Sequence, residues 1–445
     1  MRQARSAMHE RGYKLATNPM DRGAVKRMQD ELLRTTVSYV AERSEFYRER
    51  LGGSSIRPRD IQTVEDIENL PLTSKEDIQT NNWAFLCVDR SEVSEVVATT
   101  GTTGEPVFFA MTGGDLERLA ENEMRSFIGM GIGKEDIVQI AVTLDNLFGA
   151  GLAYYSGLKK IGAGIIRIGP QHASRQLELL RTLGPTVIVA VPSFMLHLAE
   201  IAERSGMNLE GLRLGKALLI GEAVRNRELG LNNIGTRVEA TWGIEGYSTY
   251  GITEAAVAFT ECTYHRGLHS HPDFAYVEVI DEEGKTLGEG EVGELVITTF
   301  KVEGMPLLRY RTGDITFMVD EECPCGATTQ RIGPILGRKA QKLKVKGTTV
   351  YPEAIKNALC DIKDVVNYQI VAYTGNEGGD RIVLKIGSEN RAPSFLEEIR
   401  LSVRSVARVA PEIEVLTPKE IECLVLAGER RKKMTFVDKR RGLNS

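Results

Sequence analysis

The chain has 445 residues, of which 42% are hydrophobic and 26% are charged, and its formal net charge is −5. This length allows two or three domains with a large buried core. The small negative charge argues against a nucleic-acid-binding surface, and no apolar run reaches the ~18 residues of a membrane helix. The N-terminus lacks the apolar core of a signal peptide, and six cysteines are too few for a disulfide scaffold. We therefore expect a cytoplasmic protein with reduced thiols.

Strand and helix patterns alternate through the first half of the chain. An amphipathic helix is predicted from Val25, and Ser74 and Asp77 are spaced as a helix-capping box. Apolar runs at 96–98 and 107–109 predict two strands. Strands are then predicted at 137–142, 165–168, 186–191 and 217–220, with helices at 152–161, 175–183 and 194–205 between them. This alternation is typical of a mainly parallel sheet covered by helices on both faces.

The second half of the chain has a different character. The stretch between residues 262 and 325 predicts strands and turns, and the composition becomes basic at 337–347. From residue 351 onward, two helices and two strands predict a small α+β unit. We therefore predict an α/β protein with a large N-terminal domain at 1–337, containing mainly parallel sheets and a β-rich subregion. A small, mobile α+β domain is predicted at 338–445.

A loop rich in threonine and glycine lies between the first two predicted strands. Glycines let the backbone close around a phosphate, and threonine hydroxyls supply donors beside the backbone N–H groups. The spacing is not that of a Walker loop, and a polar surface turn is the alternative. The residues of this candidate phosphate loop are Thr99, Thr100, Gly101, Thr102, Thr103 and Gly104.

Further motifs follow the phosphate loop along the chain. They are Tyr250-Gly251-Ile252-Thr253-Glu254, Gly293-Glu294-Leu295-Val296-Ile297, Tyr310-Arg311-Thr312-Gly313-Asp314, Gly337-Arg338 and a lysine near the C-terminus. Together these motifs resemble the adenylate-forming superfamily, most closely the phenylacetate-CoA ligase family. The resemblance extends from about Tyr39 to Arg440. It implies an AMP-forming acid–thiol ligase that uses ATP, Mg²⁺ and CoA, and it suggests a homodimer.

The resemblance also implies a nucleotide site. Glu254 would help to hold Mg²⁺, for which carboxylate oxygens are suitable ligands, and Thr253 would contact the α-phosphate. Tyr250 would stack on adenine and Asp314 would bind the ribose hydroxyls. The other expected nucleotide contacts are the phosphate loop, Glu222 in a Gly221-Glu222-Ala223 turn, Gly251 and Arg338.

Counting back from Asp438 aligns Lys432 with the family's catalytic lysine, and Lys433 is the alternative. A cation there would stabilise negative charge on the α-phosphate during adenylation. Lys432, Thr253, Glu254 and Arg338 are therefore the catalytic candidates. The resemblance further implies that the two predicted domains meet across the bound nucleotide.

The acid substrate is expected at the C-terminal end of the strand at 137–142, where open α/β sheets bind ligands. By resemblance, the family builds its aryl-acid pocket here, although core packing is an equally reasonable role for Phe148. The residues expected to border the acid are Phe148, Gly149, Tyr247 and Gly251.

A cysteine–histidine constellation predicts a structural metal site. Cys262 and His265 form a Cys-x-x-His pair, and Cys323 and Cys325 form a Cys-x-Cys pair. Three thiolates and one imidazole are the ligand set of a closed tetrahedral zinc site. We predict Zn²⁺ on these four residues, with reduced, unligated thiols as the alternative. His269 and His271 lie close by and could offer rival ligands, but His269 is expected to be a structural strand residue.

Two positions depart from the family pattern: Glu105 replaces a lysine that holds pyrophosphate, and Ala340 replaces the hinge aspartate.

The predicted reaction is adenylation of an aryl or arylacetic acid, followed by thioester formation with CoA. One alternative is transfer of the acyl group or AMP to another acceptor, such as a carrier-protein thiol, an amine or a deazaflavin. A second alternative is a catalytically weakened nucleotide-binding regulator.

Overall fold

The computed structural model describes residues 22–54, 56–99, 106–170, 172–319, 321–345, 348–360, 362–375, 379–407, 411–425 and 434–440. The chain forms two compact units. The first contains the described residues up to Gly230, together with Gly235–Thr312 and Thr316–Pro334. The second contains Leu231–Ile234, Gly313–Ile315 and the described residues from Ile335 onward.

The described helices are α1 (Arg22–Arg43), α2 (Glu45–Gly53), α3 (Lys75–Asn81), α4 (Gly113–Gly129), α5 (Gly149–Ile161), α6 (Ala173–Leu183), α7 (Pro192–Arg204), α8 (Asn233–Trp242), α9 (Pro352–Cys360), α10 (Pro393–Ala407) and α11 (Pro418–Val425). Short 3₁₀ helices occupy Pro58–Asp60, Val64–Asn69, Asn82–Phe85, Arg90–Glu92 and Lys339–Gln341. None of the described helices has the length and apolar character needed to cross a bilayer.

The described strands are β1 (Glu95–Ala98), β2 (Phe108–Met111), β3 (Ile137–Ile140), β4 (Gly164–Arg167), β5 (Val187–Ala190), β6 (Lys216–Ile220), β7 (Glu245–Ile252), β8 (Val257–Glu261), β9 (Leu268–His269), β10 (Ala275–Ile280), β11 (Val292–Thr299), β12 (Tyr310–Phe317), β13 (Arg331–Ile332), β14 (Gly337–Arg338), β15 (Leu343–Val345), β16 (Thr348–Val350), β17 (Asn367–Thr374), β18 (Asp380–Gly387), β19 (Glu412–Leu416) and β20 (Phe436–Lys439).

The first unit is organised around an eight-stranded sheet with the order β13-β9-β8-β7-β6-β5-β3-β4. Neighbouring strands from β4 to β7 are parallel, and β8, β9 and β13 continue the sheet in antiparallel pairs. Every residue of β5 is buried, as expected for a central parallel strand covered on both faces. The predicted α/β class with a mainly parallel sheet is therefore confirmed.

A second sheet forms the β-rich part of the first unit. β10 pairs with β11 in antiparallel register, and β12 is the next neighbour.

The predicted capping box at the start of α3 is also present. The Asp77 N–H donates to Ser74 Oγ, while Asp77 Oδ2 accepts from the Ser74 N–H (2.8 Å). Two of the backbone N–H groups at this end of α3 are thereby satisfied.

The second unit is a small α+β structure. Its four strands have the order β19-β18-β17-β20, with β17 and β18 antiparallel and the two outer pairs parallel. Ile355 of α9 and Ile399 of α10 share a buried core with Ile370 and Leu384 of the central strands. Because helices and sheet bury one common apolar cluster, this unit has a hydrophobic core of its own.

Glu123 is a buried carboxyl group at the contact between α4 and α5. Its side-chain Oε2 has no hydrogen-bond partner within the described chain, and the residue is only 3% exposed. The helices approach closely here, because a Cβ added at Gly157 would lie 2.6 Å from the Glu123 Cβ. Burial raises the pKa of Glu123 from 4.5 to about 8. The folded protein therefore keeps this carboxyl group protonated at neutral pH.

Glu123→Gln is expected to stabilise the protein increasingly as the pH rises from about 5 to 8. The unfolded chain loses the Glu123 proton near pH 4.5 whereas the folded protein keeps it until about pH 8, so rising pH favours unfolding across this window. Glutamine removes this linkage, with a gain on the order of 3 kcal/mol at pH 7. Melting temperatures of both proteins at pH 5 and pH 8 test the prediction. Parallel pH profiles would contradict it.

Candidate active site

The predicted phosphate loop connects two paired strands. β1 and β2 are antiparallel, with Ala98 opposite Phe108. Beyond this pair, the Thr99 N–H donates to the Val107 carbonyl (3.0 Å) and the Val107 N–H donates to Thr99 Oγ1 (3.2 Å). These bonds close the base of the loop. The remaining predicted residues, Thr100, Gly101, Thr102, Thr103 and Gly104, and the neighbouring Glu105, lie outside the described residues.

The loop between β3 and α5 contains the predicted acid-pocket residues Phe148 and Gly149. Asn146 (φ 61°) and Leu147 (φ 59°) have left-handed backbone conformations, which are unusual for a bulky residue such as leucine. Leu147 is nevertheless 49% exposed. Its carbonyl accepts a hydrogen bond from the Ala98 N–H (2.9 Å). This acid loop is therefore attached to the strand that leads into the phosphate loop.

Strand β7 carries three predicted site residues. Tyr250 and Gly251 lie in its C-terminal half, where Tyr250 is half-buried beside Phe259 and Gly251 is exposed. Tyr247 is fully buried, and its hydroxyl donates to Glu245 Oε2 (2.7 Å) at the start of the strand. This corrects the prediction that Tyr247 borders the acid. Tyr247 is a core residue whose polar end points toward the N-terminal end of β7.

The segment after β7 places Thr253 and Glu254 on a tight turn. The Ala256 N–H donates to the Thr253 carbonyl (3.2 Å), which closes the turn around Glu254. The hydroxyl of Tyr310 donates to Glu254 Oε1 (3.3 Å). Tyr310 begins β12 and is the first residue of the Tyr310–Asp314 motif, so two of the predicted motifs touch each other here. The turn presents a hydroxyl and a carboxylate at the sheet edge where α/β proteins bind ligands.

Glu222 follows β6 at the same edge of the sheet. Its two carboxylate oxygens accept hydrogen bonds from the Ser193 backbone N–H and hydroxyl, each at 2.9 Å. Ser193 lies in the first turn of α7, so the carboxylate complements the positive end of that helix. The predicted contact between Glu222 and the nucleotide stays a prediction.

In the second unit, Asp314 and Arg338 lie side by side. They are directly opposite in the antiparallel pairing of β12 with β14, and the Arg338 Nε is 3.3 Å from Asp314 Oδ1. Only 10% of the Asp314 side chain is exposed, whereas half of the Arg338 side chain is. A carboxylate and a guanidinium are the groups that bind ribose hydroxyls and phosphate oxygens, respectively.

The two candidates for the catalytic lysine, Lys432 and Lys433, lie outside the described residues. The chain is described up to Val425 and again from Met434, whose N–H donates to the Val425 carbonyl (3.0 Å). The two ends of the intervening segment are therefore joined by a hydrogen bond. The assignment of Lys432 rests on counting back from Asp438 within the sequence motif at 429–440.

Three cysteines and one histidine form a compact group beside β8 and β9. The donor atoms of Cys262, His269, Cys323 and Cys325 all lie within 4.8 Å of one another. His269 Nδ1 is 2.9 Å from Thr329 Oγ1, which leaves Nε2 directed at Cys325 Sγ (3.8 Å). The thiols of Cys262 and Cys323 lower the pKa of Cys325, so one thiolate is favoured within the group. This Cys/His cluster matches the donor set of a structural zinc site.

His265 is not part of the Cys/His cluster, which corrects the predicted ligand set. Its Nε2 is 3.0 Å from Glu245 Oε1 and its Nδ1 is 3.0 Å from Glu261 Oε2. Burial alone lowers the pKa of His265, but the two carboxylates outweigh it and raise the pKa. Arg225 donates to Glu261 through Nε (2.9 Å). Both ring nitrogens of His265 are therefore committed to a network of charged residues.

Comparisons with known proteins identify the family. The family model described as AMP-binding enzyme matches residues 55–302. The chain is 35% identical to the phenylacetate-coenzyme A ligase of Thermus thermophilus over 365 residues, which covers 81% of this chain and 80% of the relative. It is 28% identical to the Escherichia coli protein of the same name, with 84% and 85% coverage.

The fold agrees with these matches. A crystal structure of 2-hydroxyisobutyryl-CoA ligase with 2-HIB-AMP superposes with a TM-score of 0.82 and 24% identity, covering 96% of this chain and 91% of that one. The chain therefore belongs to the AMP-binding, adenylate-forming enzymes and, within them, to the phenylacetate-CoA ligase family. It is an AMP-forming acid–thiol ligase, as the motif resemblance predicted.

Proposed function

We propose that this enzyme activates phenylacetate or a closely related aryl acid with ATP and transfers the acyl group to CoA. The observation that carries the proposal is the 35% identity to a phenylacetate-coenzyme A ligase over four-fifths of both chains. The turn at Thr253–Ala256 supports it, because it holds a hydroxyl and a carboxylate at the ligand-binding edge of the main sheet. The acid loop at 145–148 supplies partly apolar surface at the same edge.

In the first step, a carboxylate oxygen of the acid attacks the α-phosphorus of ATP, and the bond to pyrophosphate breaks. The phosphate loop would bind the departing pyrophosphate through backbone N–H groups and threonine hydroxyls. Thr253 would donate to an α-phosphate oxygen, and Lys432 would stabilise the charge that develops between carboxylate and phosphate. The product is an acyl-adenylate, in which a poor acyl donor has become a mixed anhydride.

Nucleotide recognition would involve Tyr250 and Asp314. The exposed part of the Tyr250 ring offers a flat surface for adenine. The nearly buried Asp314 carboxylate can accept hydrogen bonds from both ribose hydroxyls, with Arg338 beside it to meet a phosphate or ribose oxygen. Glu254 fits a Mg²⁺ ion because it offers hard carboxylate oxygens on a turn braced by Tyr310. When bound, Mg²⁺ would neutralise charge on the phosphates.

In the second step, the thiol of CoA loses its proton and attacks the acyl carbon, and AMP leaves. The bond between the acyl carbon and the phosphate oxygen breaks as the thioester forms. Phe148 and Gly149 would hold the acyl group during both steps. Such retention would keep the reactive anhydride away from water until the thiol arrives.

The Cys/His cluster is proposed to hold one structural Zn²⁺. Three thiolates and the His269 imidazole would supply all four ligands of a closed tetrahedral site, so no position would remain open for catalysis. The Thr329 hydroxyl beside His269 Nδ1 fixes the ring orientation, as outer partners of zinc-bound histidines commonly do. The ion would tie β8 and β9 to the segment around Cys323 and Cys325.

Pyrophosphate exchange tests the proposed function. Purified enzyme is incubated with ATP, Mg²⁺, labelled pyrophosphate and a panel of acids that includes phenylacetate, benzoate and aliphatic acids of similar size. Incorporation of label into ATP is expected with arylacetic acids and not with aliphatic ones. Formation of AMP and acyl-CoA is expected once CoA is added.

Other outcomes distinguish the alternatives. Exchange without consumption of CoA would indicate another acceptor, such as a carrier-protein thiol, an amine or a deazaflavin. ATP binding without exchange for any acid would indicate a nucleotide-binding regulator. The departure at Glu105 makes that second outcome informative, because a carboxylate in place of the family's lysine would repel pyrophosphate. The cytoplasmic location and the homodimer stay predictions of the sequence.

A further inference from the structure

Arg118 is a buried cation that donates to three separate segments of backbone. Its Nε donates to the Phe300 carbonyl (2.8 Å), its Nη1 to the Ala256 carbonyl (2.8 Å) and its Nη2 to the Phe274 carbonyl (2.6 Å). The residue is only 6% exposed, and its guanidinium lies over the Phe274 ring. In the described part of the chain, no carboxylate lies within ion-pair distance of it. The side chain is therefore aimed at carbonyl dipoles.

One of these three carbonyls belongs to the turn that carries Thr253 and Glu254. Ala256 ends this turn with a left-handed conformation (φ 47°), which carries a steric penalty for any residue with a Cβ. Its N–H bonds to Thr253 and its carbonyl bonds to Arg118. One helical turn further along α4, Asn122 bonds both the N–H and the carbonyl of Ala258. Side chains of α4 therefore hydrogen-bond the backbone on both sides of Val257, at Ala256 and at Ala258.

We propose that Arg118 is a positioning residue that keeps the Thr253–Ala256 turn in the shape that presents Thr253 and Glu254 to the magnesium-bound nucleotide. This inference rests on the proposed function. The planar guanidinium suits the task, because its donors have fixed directions and can hold three carbonyls at once. A lysine would keep the positive charge but would lose the fixed directions of the guanidinium donors.

The test compares Arg118→Lys with Arg125→Lys. Arg125 is a matched control, since it lies on the same helix, covers the same Phe274 ring (4.5 Å) and bonds Asp273 without touching the turn. Arg118→Lys is expected to reduce pyrophosphate exchange about tenfold or more and to raise the half-saturating Mg²⁺ concentration. Arg125→Lys is expected to stay within about twofold of the wild type on both measures.

A rescue experiment separates positioning from general stability. Ala256→Gly removes the steric penalty of the left-handed conformation, so in the Arg118→Lys background it should restore exchange about fivefold. A loss of exchange that came only from general destabilisation of the protein would not be reversed by Ala256→Gly. Melting curves first establish that Arg118→Lys and Arg125→Lys are both folded. The proposal would be overturned if the two variants then showed equal pyrophosphate exchange and equal dependence on Mg²⁺.

Failure of the proposed function has a different signature. If the wild type exchanges pyrophosphate with no acid, the reaction assignment falls. Calorimetric titration with ATP, with and without Mg²⁺, then judges Arg118 without turnover. The positioning role is supported if Mg²⁺ increases ATP affinity less in Arg118→Lys than in Arg125→Lys. It is overturned if Mg²⁺ increases ATP affinity equally in both variants, or if Mg²⁺ does not increase the ATP affinity of the wild type.

Discussion

Purified protein is expected to contain about one zinc ion per chain, and removal of that ion should lower the melting temperature by on the order of 10 °C. Three thiols packed together would repel one another once deprotonated, and the ion would neutralise them while closing a cross-link between separate segments. The loss of that cross-link would destabilise the first unit. Metal analysis, followed by melting curves before and after chelation, measures both effects.

Two histidine variants provide a matched comparison for the metal prediction. His269→Ala is expected to lose most of the zinc, because it removes a ligand of the cluster. His265→Ala is expected to retain zinc, although it disrupts the contacts with Glu245 and Glu261. Less than about 0.2 zinc per chain in the wild type, with freely alkylated cysteines, would exclude the metal site.

Lys432→Ala is expected to reduce pyrophosphate exchange between about 100- and 1,000-fold. The lysine would act only while negative charge develops between the acid and the α-phosphate, so its loss should lower the turnover of adenylation far more than it lowers ATP affinity. The rate of thioester formation from chemically supplied acyl-adenylate and CoA should be nearly unchanged. Separate assays of the two half-reactions measure this difference.

The neighbouring Lys433 is the control for this assignment. Lys433→Ala removes an equal charge one residue away and is expected to retain adenylation. If Lys433→Ala abolishes exchange while Lys432→Ala does not, the alignment from Asp438 is displaced by one residue. Equal loss of both half-reactions in Lys432→Ala would contradict an adenylation-specific role.

The parts of the site that local patterns encode were predictable from the sequence. The two short apolar runs that flank the Thr/Gly-rich stretch correctly indicated the strands β1 and β2, which pair with each other. The capping box at Ser74 follows from a three-residue spacing. The alternation of short apolar runs with amphipathic segments predicted the parallel sheet, because both element types bury their apolar faces in one core.

The proposed metal ligands show where local spacing in the sequence is insufficient. Cys-x-x-His spacing pointed to His265, but that residue has a left-handed conformation (φ 53°) and its ring lies between two carboxylates. His269 reaches the cluster because β9 pairs with β8, which sets His269 opposite Thr260. This register is a long-range property that motif spacing does not contain.

The burial of Tyr247 and the contacts of Arg118 could not be predicted, for related reasons. Every residue near the centre of a strand covered on both faces is buried, so apolar alternation does not reveal which way a tyrosine hydroxyl points. Arg118 belongs to no motif, and an arginine on an amphipathic helix is usually a surface residue. Its importance became visible only through the three carbonyls that converge on it.

The hydrogen bond from Ala98 to the Leu147 carbonyl has a practical consequence for engineering. If the loop at 145–148 borders the acid as proposed, substitutions at Asn146 and Leu147 that change its left-handed backbone would also move the Leu147 carbonyl and disturb the end of β1 beside the phosphate loop. Gains in acid scope should therefore come with weaker use of ATP. Screens run at saturating ATP would hide this trade-off, so directed evolution of this enzyme is best carried out at limiting nucleotide.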